Sequence, residues 1–253
     1  MSKRVLGAAL VLLGTAVAPP AAAQTNLQLW SNMTFDWTKS ERLSYSLDFE
    51  PKILVAKPDD APGWRNLDVS PSVEYSPKGW LDLNAETTVG VTKQTDHVNT
   101  IEVTPRLGVR FHLFSRDKPT RILRRELPPR RRIVFRDLVR VEFRNFWYTG
   151  EGTGSSSNVR FRNRLEFLEP INKPKLTDDG ARYVLADWEW YIPLSDPSER
   201  FNNRQRIRAG VGYRHSFSWR YQLLYMWTRS RDTTAEGFTT SGHIVDFQIK
   251  RVF

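Results

Sequence analysis

Cysteine is absent from the 253-residue sequence, and long apolar runs are scarce. Without cysteine the chain can form neither a disulfide framework nor a thiolate zinc site, and it has no cysteine nucleophile. Beyond residue 24, no stretch approaches the roughly 20 apolar residues that a membrane-spanning helix needs. A mean hydropathy of −0.51 argues against a helical membrane protein, and nine tryptophans argue against a disordered chain.

The first residues have the three parts of a secretory signal peptide. Lys3 and Arg4 form a basic start, residues 5–17 form an apolar stretch, and Ala21, Ala22 and Ala23 form a small-residue cleavage site. A membrane anchor is the competing interpretation, but the apolar stretch is short and ends at two prolines. We therefore predict a signal peptide over residues 1–23 and a mature domain over residues 24–253.

Helical periodicity is also lacking, and apolar and polar residues alternate along most of the mature chain. Such a period of two indicates strands with one apolar and one polar face. We count about eleven strands of roughly ten residues, separated by turns and polar loops, and we predict an all-β protein. The alternation is clearest where these apolar residues are separated by polar ones: Leu43, Tyr45, Leu47 and Phe49; Val139, Val141 and Phe143; Val159 and Phe161.

Two architectures produce this alternation: a secreted β-sandwich and a transmembrane β-barrel. The predicted strand length suits a tilted crossing of the hydrocarbon layer, and aromatic residues gather where strands meet turns, as at a lipid boundary. The chain also ends inside an alternating strand, with Phe253 as its last residue. These features favour a single antiparallel barrel in the outer membrane.

A signal peptide combined with a terminal phenylalanine resembles Gram-negative outer-membrane proteins. The resemblance implies that Phe253 is the assembly signal, read by the barrel-assembly machinery, and that membrane lipid surrounds the barrel. A second resemblance is carried by Leu29-Trp30-Ser31, Leu43 to Glu50, Arg160 to Glu166, Asp187-Trp188-Glu189 and Arg206 to Arg214. In these segments the chain is similar to an outer-membrane family known as domain of unknown function 2490, which implies a barrel but no activity.

The strand number conflicts with the usual rule for single-chain bacterial barrels. These barrels have even numbers of antiparallel strands, whereas eleven is odd. We therefore predict twelve strands, with ten as the alternative. Segments 114–132 and 168–183 are long enough to hold a further strand.

The polar face of the strands, which would line the lumen, divides into two groups of opposite charge. The acidic wall comprises Asp48, Glu50, Asp68, Glu74, Asp82 and Glu86. The basic wall comprises Arg106, Arg110, Arg136, Arg140, Arg144, Arg160, Arg162, Arg164, Arg206, Arg208 and Arg214. We expect the two walls to face one another across the lumen.

Two arrangements of these walls are open. If they touch, the charges pair and occlude the lumen, because unpaired buried ions cost several kcal/mol each. The protein is then a structural or lipopolysaccharide-contacting envelope barrel. If the walls stay apart, water fills a narrow channel that admits small anionic solutes.

Segment 114–132 carries eight basic and two acidic residues. Nucleic-acid binding is a poor explanation in an exported protein, so we predict no nucleic-acid partner. Phosphates of lipopolysaccharide fit better, because arginine forks match phosphate oxygens. A solvated loop without a specific partner is the alternative, and the oligomeric state is left open.

The sequence offers little support for enzyme chemistry. None of His97, His112, His215 and His243 has a recognisable catalytic partner, and no serine has nucleophile-elbow spacing. A membrane esterase is a weak third hypothesis. We therefore predict no enzymatic activity, no cofactor and no metal site.

Overall fold

The computed structural model describes residues 26–57, 61–114, 133–152, 154–195, 203–231 and 237–253. The predicted signal peptide and residues 115–132 lie outside them. The described residues form eleven strands: β1 (Asn26–Thr38), β2 (Leu43–Ala56), β3 (Trp64–Lys78), β4 (Leu81–Gln94), β5 (Val98–His112), β6 (Val134–Gly150), β7 (Ser155–Pro170), β8 (Ala181–Pro193), β9 (Arg204–Arg214), β10 (Trp219–Ser230) and β11 (Thr239–Val252).

The strands close into one barrel in which each strand pairs with its neighbours in sequence. All these pairs are antiparallel except the closing pair, in which β1 and β11 run parallel. We call the two ends of the barrel the Asn26 rim, where β1 begins, and the Phe253 rim, where β11 ends. The predicted all-β barrel is confirmed, and no helix in the described residues is long and apolar enough to span a membrane.

The ring of described strands contains eleven members, and neither the predicted twelve nor the alternative ten. The prediction of an even number assumed that every neighbouring pair is antiparallel. Because β1 and β11 pair in parallel, the ring can close with an odd number of strands. Residues 171–180 form the β7–β8 connection and contain no strand. Most of segment 114–132 lies outside the described residues.

The two faces of the barrel differ as the alternation predicts. Large apolar side chains such as Leu107, Leu223 and Phe247 are exposed on the outer face, whereas the charged side chains between them point inward. Polar pairs interrupt the outer face in places; for example, the Asn163 amide donates a hydrogen bond of 2.5 Å to Asp137. The apolar outer surface is what a lipid-facing barrel requires.

Three prolines lie inside strands, although proline cannot donate a hydrogen bond to a ladder. Pro51, Pro71 and Pro105 each have a residue opposite them on one neighbouring strand. On the other side, the ladder is interrupted at each proline and the residue before it. The closed ring therefore accommodates each proline at a local break in one ladder.

The interior contains an apolar cluster close to the Phe253 rim. Leu176 of the β7–β8 connection is 3% exposed and packs in this cluster. Tyr183 is buried with its ring so close to the α-carbon of Gly212 that a β-carbon at this glycine would overlap it. The connection thus covers one side of the lumen at this rim. The members of the cluster are Val134, Leu168, Leu176, Tyr183, Leu185 and Leu224.

The terminal residue stabilises the parallel seam between β1 and β11. The Phe253 ring stacks on Trp37 with a centroid distance of 5.6 Å and lies 6.5 Å from Phe35. Its backbone N–H donates a hydrogen bond of 2.9 Å to the carbonyl of Asp36. The predicted assembly signal is therefore also a packing element at the closure.

Deletion of Phe253 should sharply reduce the amount of assembled barrel. The deletion removes the ring that stacks on Trp37 and the last hydrogen bond to β1. Because this ring is 56% exposed, its packing is worth less than the about 2–3 kcal/mol of a fully buried side chain, and the expected loss rests mainly on the predicted assembly signal. The matched control is Phe247→Ala, which removes an exposed ring of β11 away from this rim. Assembled protein is measured by the mobility of unheated samples on denaturing gels. Equal yields from the deletion and the control would contradict a special role of Phe253.

Candidate functional site

The barrel encloses a cavity of about 1300 Å³. Its lining includes Trp64 and Tyr148 close to the Asn26 rim and Ser44 and Lys250 close to the Phe253 rim. Alternation along the strands explains this lining, because every second side chain points inward. The cavity therefore extends between the two rims and is the candidate functional site.

Both predicted walls lie in the barrel interior. Ten of the eleven arginines of the basic wall line the cavity, as do five of the six carboxylates of the acidic wall. The two exceptions are buried beside it. Asp82 accepts hydrogen bonds from Ser76 (2.6 Å) and lies 2.7 Å from Nε2 of His112, and the Arg214 guanidinium lies 6.0 Å from the Phe217 ring centroid.

The charges divide the described lumen into two unequal halves. Fourteen basic and ten acidic side chains line the cavity, with the buried carboxylates of Glu142 and Glu189 behind them. Strands β5 to β9 carry an excess of six positive charges, whereas β11 and β1 to β4 carry an excess of five negative charges. The remaining cation is Arg220 on β10. A field therefore crosses the lumen, with a small positive excess overall.

Glu142 on β6 is the most highly coordinated carboxylate of the basic half. Its side chain is fully buried and contacts Arg160 at 2.5 Å, Arg140 and Arg162 at 3.1 Å, and Arg106 at 3.4 Å. Arg140 and Arg162 stand directly opposite one another on β6 and β7, an arrangement in which like charges repel. Glu142 offsets that repulsion because it contacts both.

Glu189 on β8 has the same function two strands further on. Its fully buried carboxylate accepts hydrogen bonds from Arg162, from the Tyr191 hydroxyl and, at 3.4 Å, from Arg206. The Tyr191 ring lies 4.7 Å from the Arg160 guanidinium and 4.9 Å from that of Arg162, within the range of cation–π attraction. An aromatic ring thus separates and orders guanidinium groups of like charge.

Most ion pairs run along the wall, between neighbouring strands, which is nearer to the alternative in which the two walls stay apart. The two walls meet where β4 adjoins β5: Glu86 contacts Arg106 and, at 3.3 Å, Arg140. The remaining arginine partners are mainly acids of the basic half, including Glu102 and Glu166. Lateral pairing leaves a cavity between the walls, which Trp30 narrows, because its ring lies 4.5 Å from the Lys52 ammonium and 5.1 Å from the Arg206 guanidinium.

The acidic half contains two lysines that partly neutralise it. Lys52 contacts Glu50 at 2.7 Å and Asp68 at 2.5 Å, and its ammonium group lies 4.5 Å from the centre of the Trp30 ring. Asp48 is bound differently, because it accepts a hydrogen bond from the Thr34 hydroxyl and contacts no cation among the described residues. Asp48 therefore contributes to the lining a carboxylate without a direct ion pair.

Several interior residues were not predicted from the sequence. Arg204 and Asp36 line the cavity, and their positions in the alternation could have identified them. Leu224, Met226 and Trp30 also point inward, but their apolar character concealed this, because we expected an all-polar lumen face. The interior is therefore a mixed surface in which apolar and aromatic groups separate the charges.

Ser241 and His243, which lie close in sequence on β11, do not hydrogen-bond to one another. Ser241 donates a hydrogen bond to Thr228 at 3.2 Å, whereas His243 contacts the Tyr225 hydroxyl. Within the described ranges, no group of three or more potential metal-ligating side chains is close enough to hold an ion. The chemistry that the lumen does offer is ion pairing and hydrogen bonding to a solute.

Replacement of Glu142 by Gln should destabilise the barrel by about 3–5 kcal/mol, because four arginines lose a buried counter-charge. Denaturant unfolding in detergent micelles, followed by tryptophan fluorescence, measures the change. Glu102→Gln is the control, since Glu102 is 26% exposed and contacts Arg144 alone among the described arginines. An equal loss of unfolding free energy in both variants would show that the four arginine contacts of Glu142 add no stability beyond that of a single ion pair.

Comparisons with known proteins agree with this geometry. The family described as "Protein of unknown function (DUF2490)" matches residues 27–239. Among solved structures, LpxR from Salmonella typhimurium aligns over 85% of this chain and 84% of its own, with a TM-score of 0.50 and 10% sequence identity, which shows a shared barrel fold. A comparison with curated proteins gives no match. Because the family match covers most of the chain, this protein belongs to the DUF2490 family, as its sequence resemblance implied, and it has a barrel of the outer-membrane type.

Proposed function

We propose that this protein is an outer-membrane barrel whose narrow, charged lumen admits small solutes with a weak preference for anions. The observation that supports this function is the cavity of about 1300 Å³ between a basic and an acidic half of the lumen. Because the arginines pair along the wall, the opposing halves need not close on one another. Space for water and a small solute is left between them.

The charge distribution supports a selective passage. The basic half carries the larger excess, so the lumen attracts anions more strongly than cations. Screening acts over about 8–10 Å at physiological salt, which is comparable with half the width of such a barrel. The preference should therefore be modest and depend on ionic strength.

A second candidate is an occluded envelope barrel in contact with lipopolysaccharide. The apolar cluster at the Phe253 rim favours it, because Leu176 covers part of the lumen there. The proposed lipopolysaccharide contact uses segment 114–132, of which only Phe114 belongs to the described residues. Absence of conductance in a correctly assembled protein would favour this candidate over a channel.

Location can be tested apart from function. We expect the mature protein in the outer-membrane fraction after cleavage of residues 1–23, with different gel mobility before and after heating. The apolar outer face and the closed hydrogen-bonded ring are the reasons. Recovery of the protein in the soluble periplasmic fraction would contradict a membrane-embedded barrel.

Planar-bilayer recording tests the proposed passage. Wild-type protein should give small currents with weak anion selectivity, and Asp48→Asn should increase that selectivity by removing from the lining a carboxylate without a direct ion pair. Selectivity should decline towards 1 M salt, where screening acts over about 3 Å.

The control variant for these recordings is Asp137→Asn, the same change on the outer face of the barrel. It should leave the selectivity unchanged. Cation-selective currents from the wild type, or equal effects of the two variants, would contradict the assignment of the charged walls as the surface along which ions pass.

A further inference from the structure

Arg164 on β7 is a weakly compensated arginine of the basic half. It lines the cavity, and its one ion pair with a described residue is with Glu166, at 3.8 Å. Its side chain makes no hydrogen bond to any described residue, and its Nε atom is buried without a partner. In the barrel register, Arg164 stands between Leu138 on β6 and Glu189 on β8. Its terminal amino groups face the cavity with unused donors.

The neighbouring carboxylates are engaged elsewhere. Both oxygens of Glu189 accept hydrogen bonds, one from Arg162 and the other from Tyr191 and Arg206. The carboxylate of Glu166 accepts a hydrogen bond of 2.6 Å from Arg136. Arg164 therefore has carboxylates nearby, but none of them accepts a hydrogen bond from its side chain.

Arg208 on β9 offers further donors to the same part of the cavity. Its Nε atom lies 2.8 Å from both oxygens of Asp187, and neither of its terminal amino groups makes a hydrogen bond to a described residue. Only β8 separates Arg208 from Arg164, and their partners on that strand, Asp187 and Glu189, are two residues apart and on the same face. Two guanidinium groups of like charge thus share one side of the cavity.

We propose that Arg164 and Arg208 form a binding site for a phosphate group inside the lumen. A tetrahedral dianion accepts several charge-assisted hydrogen bonds, matches the planar fork of a guanidinium, and neutralises two cations that otherwise repel each other. A chloride ion has no pair of oxygen atoms to match the two N–H groups of a guanidinium fork, and it carries half the charge of a phosphate dianion. The site rests on the proposed function in one respect, namely that a small anion must be able to enter the cavity.

Two sources could supply the phosphate group, namely free inorganic phosphate and a small phosphate monoester. Titration calorimetry with the complete mature barrel in detergent micelles separates them, with inorganic phosphate in one arm and glycerol 3-phosphate in the other. Sodium chloride keeps the ionic strength constant. We expect saturable binding of at least one of the two phosphates and no equivalent effect of additional chloride.

The decisive variant is Arg164→Gln, which should weaken phosphate binding about tenfold or more, because it removes a charge-assisted fork. Arg164→Lys should retain part of the affinity, since it keeps the charge and loses the fork. The control is Arg182→Gln, which makes the same charge change at an exposed position of β8 outside the cavity lining. Equal binding by wild type and Arg164→Gln would overturn the site.

A stability measurement guards against a folding effect. Without phosphate, Arg164→Gln should unfold at the same denaturant concentration as the wild type or a higher one, because it removes a cation that has no hydrogen-bonding partner among the described residues. Marked destabilisation would contradict the proposal. Arg208 is tested as Arg208→Gln together with Asp187→Asn, so that no carboxylate is left unpaired, and this double variant should also lose phosphate affinity.

The outcomes for the site and for the channel are separable. Phosphate binding in micelles without current in bilayers supports the site and overturns the proposed passage. Current without phosphate binding supports the passage and overturns the site. An equal effect of chloride and phosphate at the same ionic strength would show general screening and would also overturn the site.

Discussion

The structure depends on the neutralisation of closely spaced arginines by a few buried carboxylates. Alternation directs every second side chain of eleven strands into one enclosed space, and in β5 to β9 many of these side chains are arginines. Without Glu142 and Glu189, arginines that stand close together on neighbouring strands, such as Arg140 and Arg162, would lose their buried counter-charges. Ion pairs along the wall allow the barrel to be both closed and partly hollow.

The alternation in the sequence was sufficient to predict the barrel and the inward direction of nearly all the wall residues, because period two translates directly into two faces. The pairing pattern was not predictable in the same way. Glu142 and Glu166 were visible as isolated acids among arginines, but their partners depend on the register between strands. That register is set by turn lengths and by the interruptions at prolines, which a single sequence does not reveal.

The strand number was wrong for a related reason. Counting strands was accurate, whereas the rule used to correct the count applies to barrels closed by an antiparallel pair. The inward apolar residues Leu224 and Met226 also escaped prediction, since they lie in a run with apolar residues on both faces. Alternation shows which side chains point inward only where the two faces of a strand differ in polarity.

The parallel β1–β11 seam also determines the sidedness of the barrel. In an even-stranded meander the first and last strands have their outer ends at the same rim, but here β1 starts at the Asn26 rim and β11 finishes at the Phe253 rim. Epitopes placed before Asn26 and after Phe253 would consequently lie at opposite ends of the barrel. Successive strands are joined five times at each rim, so neither end of the barrel receives more connections than the other.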